Sequence, residues 1–197
     1  MQASPVDAAI TLFKQQNARD PNQVVVNGQV LPKQLVEAER ISAWVLELHP
    51  EASDALRLAA YAQHVRRWEI PRDRYPSGRV GYLKWRKELS KFHADVAAET
   101  LSEAGVAPDT IAAVRRLNLK QGLSTNPDTQ AIEDALCLTF LQFDFAEFAE
   151  KHTPAKVIDI LRKTWRKMSP RAQAAATKLE LSSNAQRLVE AALAPSG

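Results

Sequence analysis

A chain of 197 residues is long enough for one well-buried core, and 45% apolar and 25% charged residues with only 6 glycines fit a helical globular protein. The formal net charge of +3 is too small an excess to hold nucleic acid by charge alone, so any basic function is local. No apolar run approaches the length of a spanning helix, so no membrane partner is expected. The segment MQASPVDAAITLF lacks a basic leader region and a cleavage-like site, so no secretory signal is expected. The single Cys137 cannot form an internal disulfide, and a reducing, cytoplasmic setting is the default expectation.

Taken in order, Ser4-Pro5-Val6-Asp7 is a helix start, with Ser as cap, Pro at the first helical position and Asp at the positive helix end. Val6, Ile10 and Phe13 give this helix a short apolar face. Asn17 to Gln23 breaks it. Val24-Val25-Val26 before Asn27-Gly28 is compatible with a small hairpin, but so short a run reads more readily as an extended connector. From about Pro32 to Leu48, Leu35, Ile41, Trp44, Val45 and Leu48 recur at helical spacing, and His49-Pro50 ends the run. Ser53 caps a helix predicted to reach about Trp68. Pro71, Pro76, Ser77 and Gly78 then mark a loop. A long helix is expected from about Val80 to Ala104, with Tyr82, Trp85, Leu89, Phe92, Val96 and Leu101 on its buried stripe and Gly105 as its stop. A shorter helix opens at Pro108, and Lys120 to Ser124 is loop. Asn126-Pro127, Thr153-Pro154 and Ser169-Pro170 open further helices, the first reaching about Lys151. A last amphipathic helix begins near Ser183 and ends in Ala-Pro-Ser-Gly. These signals predict an all-α fold of about eight or nine helices in a single domain, 1–197. Residues 1–31 form its N-terminal helix and connector, and 183–197 its C-terminal helix and tail.

The stretch from Arg57 to Lys91 carries ten basic residues against three acidic ones, and five large aromatics. Within the helix predicted for 54–68, Leu56, Ala60, His64 and Arg67 share a face. Arg57 lies seven residues before His64, and Gln63 flanks it. A buried polar group without a partner costs about 1–3 kcal/mol, so such a cluster on a core face calls for partners. His93 stands beside Phe92 on a face with Leu89 and Val96 and is expected to be half-buried. Asp95 points elsewhere, because residues two apart do not share a helix face. Asp134 continues the apolar stripe Leu138, Leu141, Phe145 and Phe148. A carboxylate there needs a cation, a donor cluster or a metal, and Glu133 either faces solvent or supports the same site. Arg72, Arg74, Tyr75 and Arg79 add donors from the loop, of which guanidinium groups suit phosphate or carboxylate bidentately. No Gly-rich phosphate loop, CxxC or HExxH is present.

The segments QHVRRWEIPRDRYP, GYLKWR, FHAD and NPDTQAIEDALCLTFL resemble a family catalogued as a domain of unknown function, of the DUF4202 type, over nearly the whole chain as far as KTWRKMS. Its pattern is in turn similar to the HD-type metal-dependent phosphohydrolases, which are all-helical and cleave phosphate esters of nucleotides. The resemblance implies a compact HD-like helical domain and a divalent metal held by His64, His93 and Asp134. Asp134 and Glu133 would be the catalytic carboxylates. The chain departs from the HD pattern at Val65, where an aspartate would follow His64.

The leading expectation is therefore an HD-like phosphohydrolase acting on a small phosphorylated metabolite or nucleotide. Arg57, Gln63, Arg67, Arg72, Tyr75 and Lys120 would bind the substrate, and a metal would lower the pKa of bound water. The alternative is a non-catalytic binder of a phosphate-bearing ligand. A third and subordinate reading is a nucleic-acid-binding module that stacks bases on Trp68, Tyr75, Tyr82 and Trp85.

Overall fold

The computed structural model describes residues 4–123 and 125–194. Ser124 of the expected loop and the Pro-Ser-Gly end of the tail lie outside the described residues. The fold is all-α apart from one hairpin. Its elements are α1 (Pro5–Asn17), β1 (Gln23–Val26), β2 (Gln29–Pro32), α2 (Lys33–Leu48), α3 (Asp54–Ala62), α4 (Gly78–Glu103), α5 (Pro108–Asn118), α6 (Pro127–Thr139), α7 (Phe145–Glu150), α8 (Pro154–Lys167), α9 (Pro170–Ala176) and α10 (Ser183–Leu193). A single π-turn, Phe140–Asp144, joins α6 to α7, so 127–150 is one continuous helical stretch. The chain groups into two compact units, residues 1–132 and 133–197.

Several helix starts obey the cap signals. The hydroxyls of Ser4, Ser53 and Ser169 accept the N–H of Asp7, Leu56 and Ala172, and Asn126 Oδ1 accepts the N–H of Asp128 at 2.9 Å. α2, like α4, α5, α7 and α8, has no side-chain cap of its own, its start being Pro32. The buried Asp20 reaches across from the preceding loop instead, its Oδ2 accepting the Gln34 N–H at 3.0 Å while Oδ1 holds Asn22. The end of α4 follows the left-handed rule. Gly105, at φ +74°, closes α4 with Val106 N–H donating to Leu101 O at 3.0 Å.

Two expectations are corrected. The 23–32 stretch is a hairpin, not a connector: Asn27 and Gly28 take φ +50° and +78°, the two-residue turn whose twist matches paired strands, and Val25 stands opposite Val30. The helix expected to reach Trp68 stops at Ala62. Residues 63–66 form a turn, Arg66 enters the left-handed region at φ +54°, and a short 3-10 turn follows at Arg67–Glu69. Past that end, the carbonyl of Val65 is taken by a side chain of α4.

In the first unit α3 is the hub. Nine residues long and rich in alanine, it buries Leu56, Leu58, Ala59, Ala60 and Ala62 and packs against α1, α2, α4 and α5. Small side chains let four helices approach so short a segment. α4 packs chiefly on α5, burying Trp85, Leu89, Val96, Ala97 and Leu101. The buried stripe passes through His93 rather than Phe92, and Tyr82 is exposed rather than buried. In the second unit α8 packs against α7 and α10 around Leu141, Phe145, Val157, Leu161 and Ala192. No helix among the described residues is long and apolar enough to cross a membrane.

The loop before α4 is held down at Gly81, where an added Cβ would stand 1.9 Å from the Pro76 carbonyl oxygen. Alanine is the better helix former by about 1 kcal/mol, so the sign of Gly81→Ala separates propensity from packing. The clash is with backbone and is expected to win. The variant should melt lower, by an overpacking cost of about 1–3 kcal/mol. An equal or higher melting temperature would mean that the loop yields freely.

Candidate functional site

The site is built where the turn after α3 meets α2, α4 and the end of α5. His93, on the buried stripe of α4, is only 4% exposed, not half-buried as its neighbours in sequence suggest. Its Nδ1 lies 2.8 Å from the Val65 carbonyl oxygen. A carbonyl only accepts, so Nδ1 carries the hydrogen and Nε2 is left with its lone pair. That Nε2 is buried and has no hydrogen-bond partner among the described residues. Burial, with His64 and Arg67 nearby, pushes the His93 imidazole down to about 3, so it is neutral at pH 7.

His64 comes from the turn itself and is 24% exposed in its side chain. Its ring centroid is 6.1 Å from that of His93, and its Nδ1 is 3.5 Å from Glu37 Oε1 on α2. Burial lowers the His64 pKa, Glu37 pulls it up, and Arg67 and Lys120 lower it further. Burial alone would raise the Glu37 carboxyl. His64 beside it, with Arg67 and Lys33, instead holds it down to about 2. Glu37 is thus an ionised carboxylate, partly buried and surrounded by nitrogen groups.

Two strained positions flank the cluster. Arg66 and Lys120 both have positive φ, at +54° and +53°. Lys120 ends α5 in the place usually held by glycine: its N–H reaches Leu117 O and the Gln121 N–H reaches Arg116 O. A left-handed non-glycine residue costs about 1–2 kcal/mol, and such outliers collect at functional sites. Arg66 is braced by a bidentate pair with Glu69, at 2.6 and 2.8 Å. Arg67 stacks over Trp85, 4.9 Å from the ring centroid, and Trp85 Nε1 donates to Ile70 O.

The structure therefore gathers His64, His93, Arg67 and Lys120 from the expected set and adds Glu37. The other expected residues have partners of their own. Arg57 is on the surface, 3.4 Å from Asp54 and 4.0 Å from Asp7. Gln63 is buried, its amide donating to Asn118 Oδ1 at 2.8 Å. The Arg72 guanidinium holds the carbonyls of Tyr75 and Pro76, each at 2.9 Å, and Tyr75 donates to Glu88 at 2.6 Å. Asp134 and Glu133 belong to the second unit. There the Ser169 N–H donates to Asp134 Oδ1 at 2.8 Å and the Ser169 hydroxyl to Oδ2 at 2.5 Å, while Glu133 lies 3.4 Å from Lys167. Asp95 pairs with Arg115 at 2.6 Å. Among the described residues no group of three His, Cys, Asp or Glu side chains is placed to hold a metal ion.

Glu37 was missed by sequence reasoning, although its signal was there. It stands four residues before Ile41, seven before Trp44 and eleven before Leu48, so a carboxylate continues the apolar stripe of α2.

Comparison with known proteins gives one match. The family model described as "Domain of unknown function (DUF4202)" aligns with residues 7–189, so the chain belongs to this family. No curated protein and no solved structure matches.

Two predictions follow from the geometry. A histidine whose folded pKa is depressed destabilises the fold as pH falls, because the unfolded chain takes up a proton that the folded chain refuses. Stability should therefore decline between pH 6.5, the ordinary histidine value, and about 3. His93→Asn keeps a donor for the Val65 carbonyl but does not titrate, so its urea midpoint should fall less than that of the wild type between pH 7 and pH 5. In the second unit, Asp134→Asn replaces an oxygen that accepts the Ser169 hydroxyl with a donor. It should lower stability by about 1–3 kcal/mol, read as a drop in melting temperature. An unchanged or raised value would give Asp134 a role other than bracing Ser169.

Proposed function

We propose that this DUF4202 protein binds a small phosphorylated metabolite or nucleotide at the Glu37–His64–His93 cluster and hydrolyses its phosphate ester. One observation supports this above the others. An ionised carboxylate faces an imidazole lowered by burial, in a partly open position, with Arg67 and Lys120 close enough to shift that imidazole's pKa. His64 turns Nδ1 toward Glu37 Oε1 at 3.5 Å; in this reading Nδ1 carries the proton and Nε2 is the base. In this reading Nε2 takes a proton from water as the water attacks phosphorus, and Glu37 stabilises the imidazolium that forms. The proton then passes to the oxygen of the leaving alcohol, so that ester and water give alcohol and phosphate. Arg67 offers a bidentate fork for the phosphoryl oxygens and Lys120 a point charge.

The likeness of the chain's motifs to HD-type phosphohydrolases is part of the same proposal. It implies a divalent metal, which would activate water and polarise the phosphoryl oxygen. The unpartnered Nε2 of His93 suits a ligand nitrogen. The arginine and lysine beside it do not suit a cation, and no three-ligand set is formed among the described residues. The mechanism above therefore runs through the side chains alone. The second reading, a binder without turnover, is favoured by that same want of a metal-ligand set.

The test is phosphate release from a panel of phosphomonoesters and nucleotides by the full chain, with binding of the best ligand measured in parallel. His64→Asn should cut turnover by about 100-fold or more while leaving ligand affinity within a few-fold. Binding with no turnover would select the binder, and no binding of any phosphorylated compound would overturn both readings. Lys120→Gly separates function from fold. Removing the left-handed strain should raise stability by about 1 kcal/mol, while loss of the ammonium weakens phosphate binding. A variant stabilised and unimpaired in binding would remove Lys120 from the site.

A further inference from the structure

The first half of α4 carries a surface that the proposed site does not use. Val80 is 84% exposed and Leu83 53%, on a helix whose opposite face buries Gly81, Trp85 and Leu89. At about 100° per residue, Leu83 and Val80 fall side by side in the middle of the exposed arc. Arg79 stands at one edge of that arc and Lys84 at the other, and Lys87 and Lys91 continue it along the next turns, all of them exposed. Glu88 is the one carboxylate between Arg79 and Lys91, and it is occupied by the Tyr75 hydroxyl at 2.6 Å and by Lys84 at 4.0 Å. The stretch thus offers two aliphatic side chains framed by cations.

That pairing restricts the partner. Two-fold association with a second copy through this patch would set the same cations against one another. Nucleic acid rewards cations and aromatic faces but not valine and leucine, and Arg86 already lies over the ring of the exposed Tyr82, at 5.9 Å. An anionic bilayer surface rewards both parts. Apolar side chains enter the headgroup boundary, and the methylene stems of Lys and Arg lie along it with their charges at the lipid phosphates. No spanning helix is needed for such a contact.

We propose that the first half of α4 is a peripheral docking surface for an anionic lipid bilayer, with Val80 and Leu83 entering the headgroup layer and Arg79, Lys84, Lys87 and Lys91 facing the lipid phosphates. The contact is reversible and sensitive to salt, because most of its attraction is screened charge.

The test is co-sedimentation of the full chain with vesicles of about one part phosphatidylserine to two parts phosphatidylcholine, against vesicles of phosphatidylcholine alone. Binding is expected on the mixed vesicles only and should fall steeply as salt is raised. Lys84→Glu and Lys87→Glu should each weaken it about fivefold or more, and the uncharged Val80→Ser should weaken it without altering the salt slope. These side chains are exposed, so an unchanged melting temperature checks that each variant is folded. No binding to either vesicle, equal binding to both, or insensitivity to the two lysine reversals overturns the proposal. A single-stranded oligonucleotide bound more tightly than the vesicles through the same lysines would make the partner a nucleic acid and overturn it as well.

Discussion

The hydrogen bond from His93 Nδ1 to the Val65 carbonyl is the constraint on which the site depends. It ties the turn that follows α3, where the chain passes through the left-handed Arg66, to the buried face of α4. The same bond fixes the tautomer of His93 and directs its unprotonated nitrogen away from the backbone. Val65, fully buried, anchors the turn from the other side. One contact thus ties down a turn, a ring orientation and a protonation pattern. His64, Glu37 and Arg67 lie around the ring so held.

Around that bond the protein holds an electrostatic balance in a partly dry place. Glu37 stays ionised because nitrogen groups surround it, while the two imidazoles stay neutral because burial and the neighbouring cations disfavour a further positive charge. Neutral imidazole beside carboxylate is the state in which histidine acts as a base. The backbone strain at Arg66 and Lys120 lies at this same place, and both residues are cations. Glycine would satisfy either turn with less strain, and at Arg66 the bidentate pair with Glu69 offsets that cost.

The second unit uses a buried carboxylate differently. Asp134 accepts both the N–H and the hydroxyl of Ser169, and that hydroxyl in turn accepts the Ala172 N–H at the start of α9. A stripe position occupied by a carboxylate is in each unit a sign of compensation. In one unit the compensating groups are side chains that can take part in chemistry, and in the other they include the cap of a helix.

The all-α class was legible in the chain itself, because helix starts and stops are local events. Ser, Asn and Pro at the starts act through the nearest turn, Gly105 acts through its own φ, and 3.6-residue periodicity needs no knowledge of what covers the stripe. His64, His93, Arg67 and Lys120 could be singled out for the same reason: a polar group on an apolar face is visible in one dimension. Which of them meet was decided by tertiary structure. Nothing within the local sequence of α3 says that Val65 O will be claimed from α4, 28 positions away, or that Arg66 will take a left-handed turn. Asp20 capping α2 from 14 positions away, the exposure of Tyr82, and the engagement of Arg72 with the carbonyls of its own loop are of the same kind. Each depends on a partner brought close by packing, and sequence distance does not record that proximity.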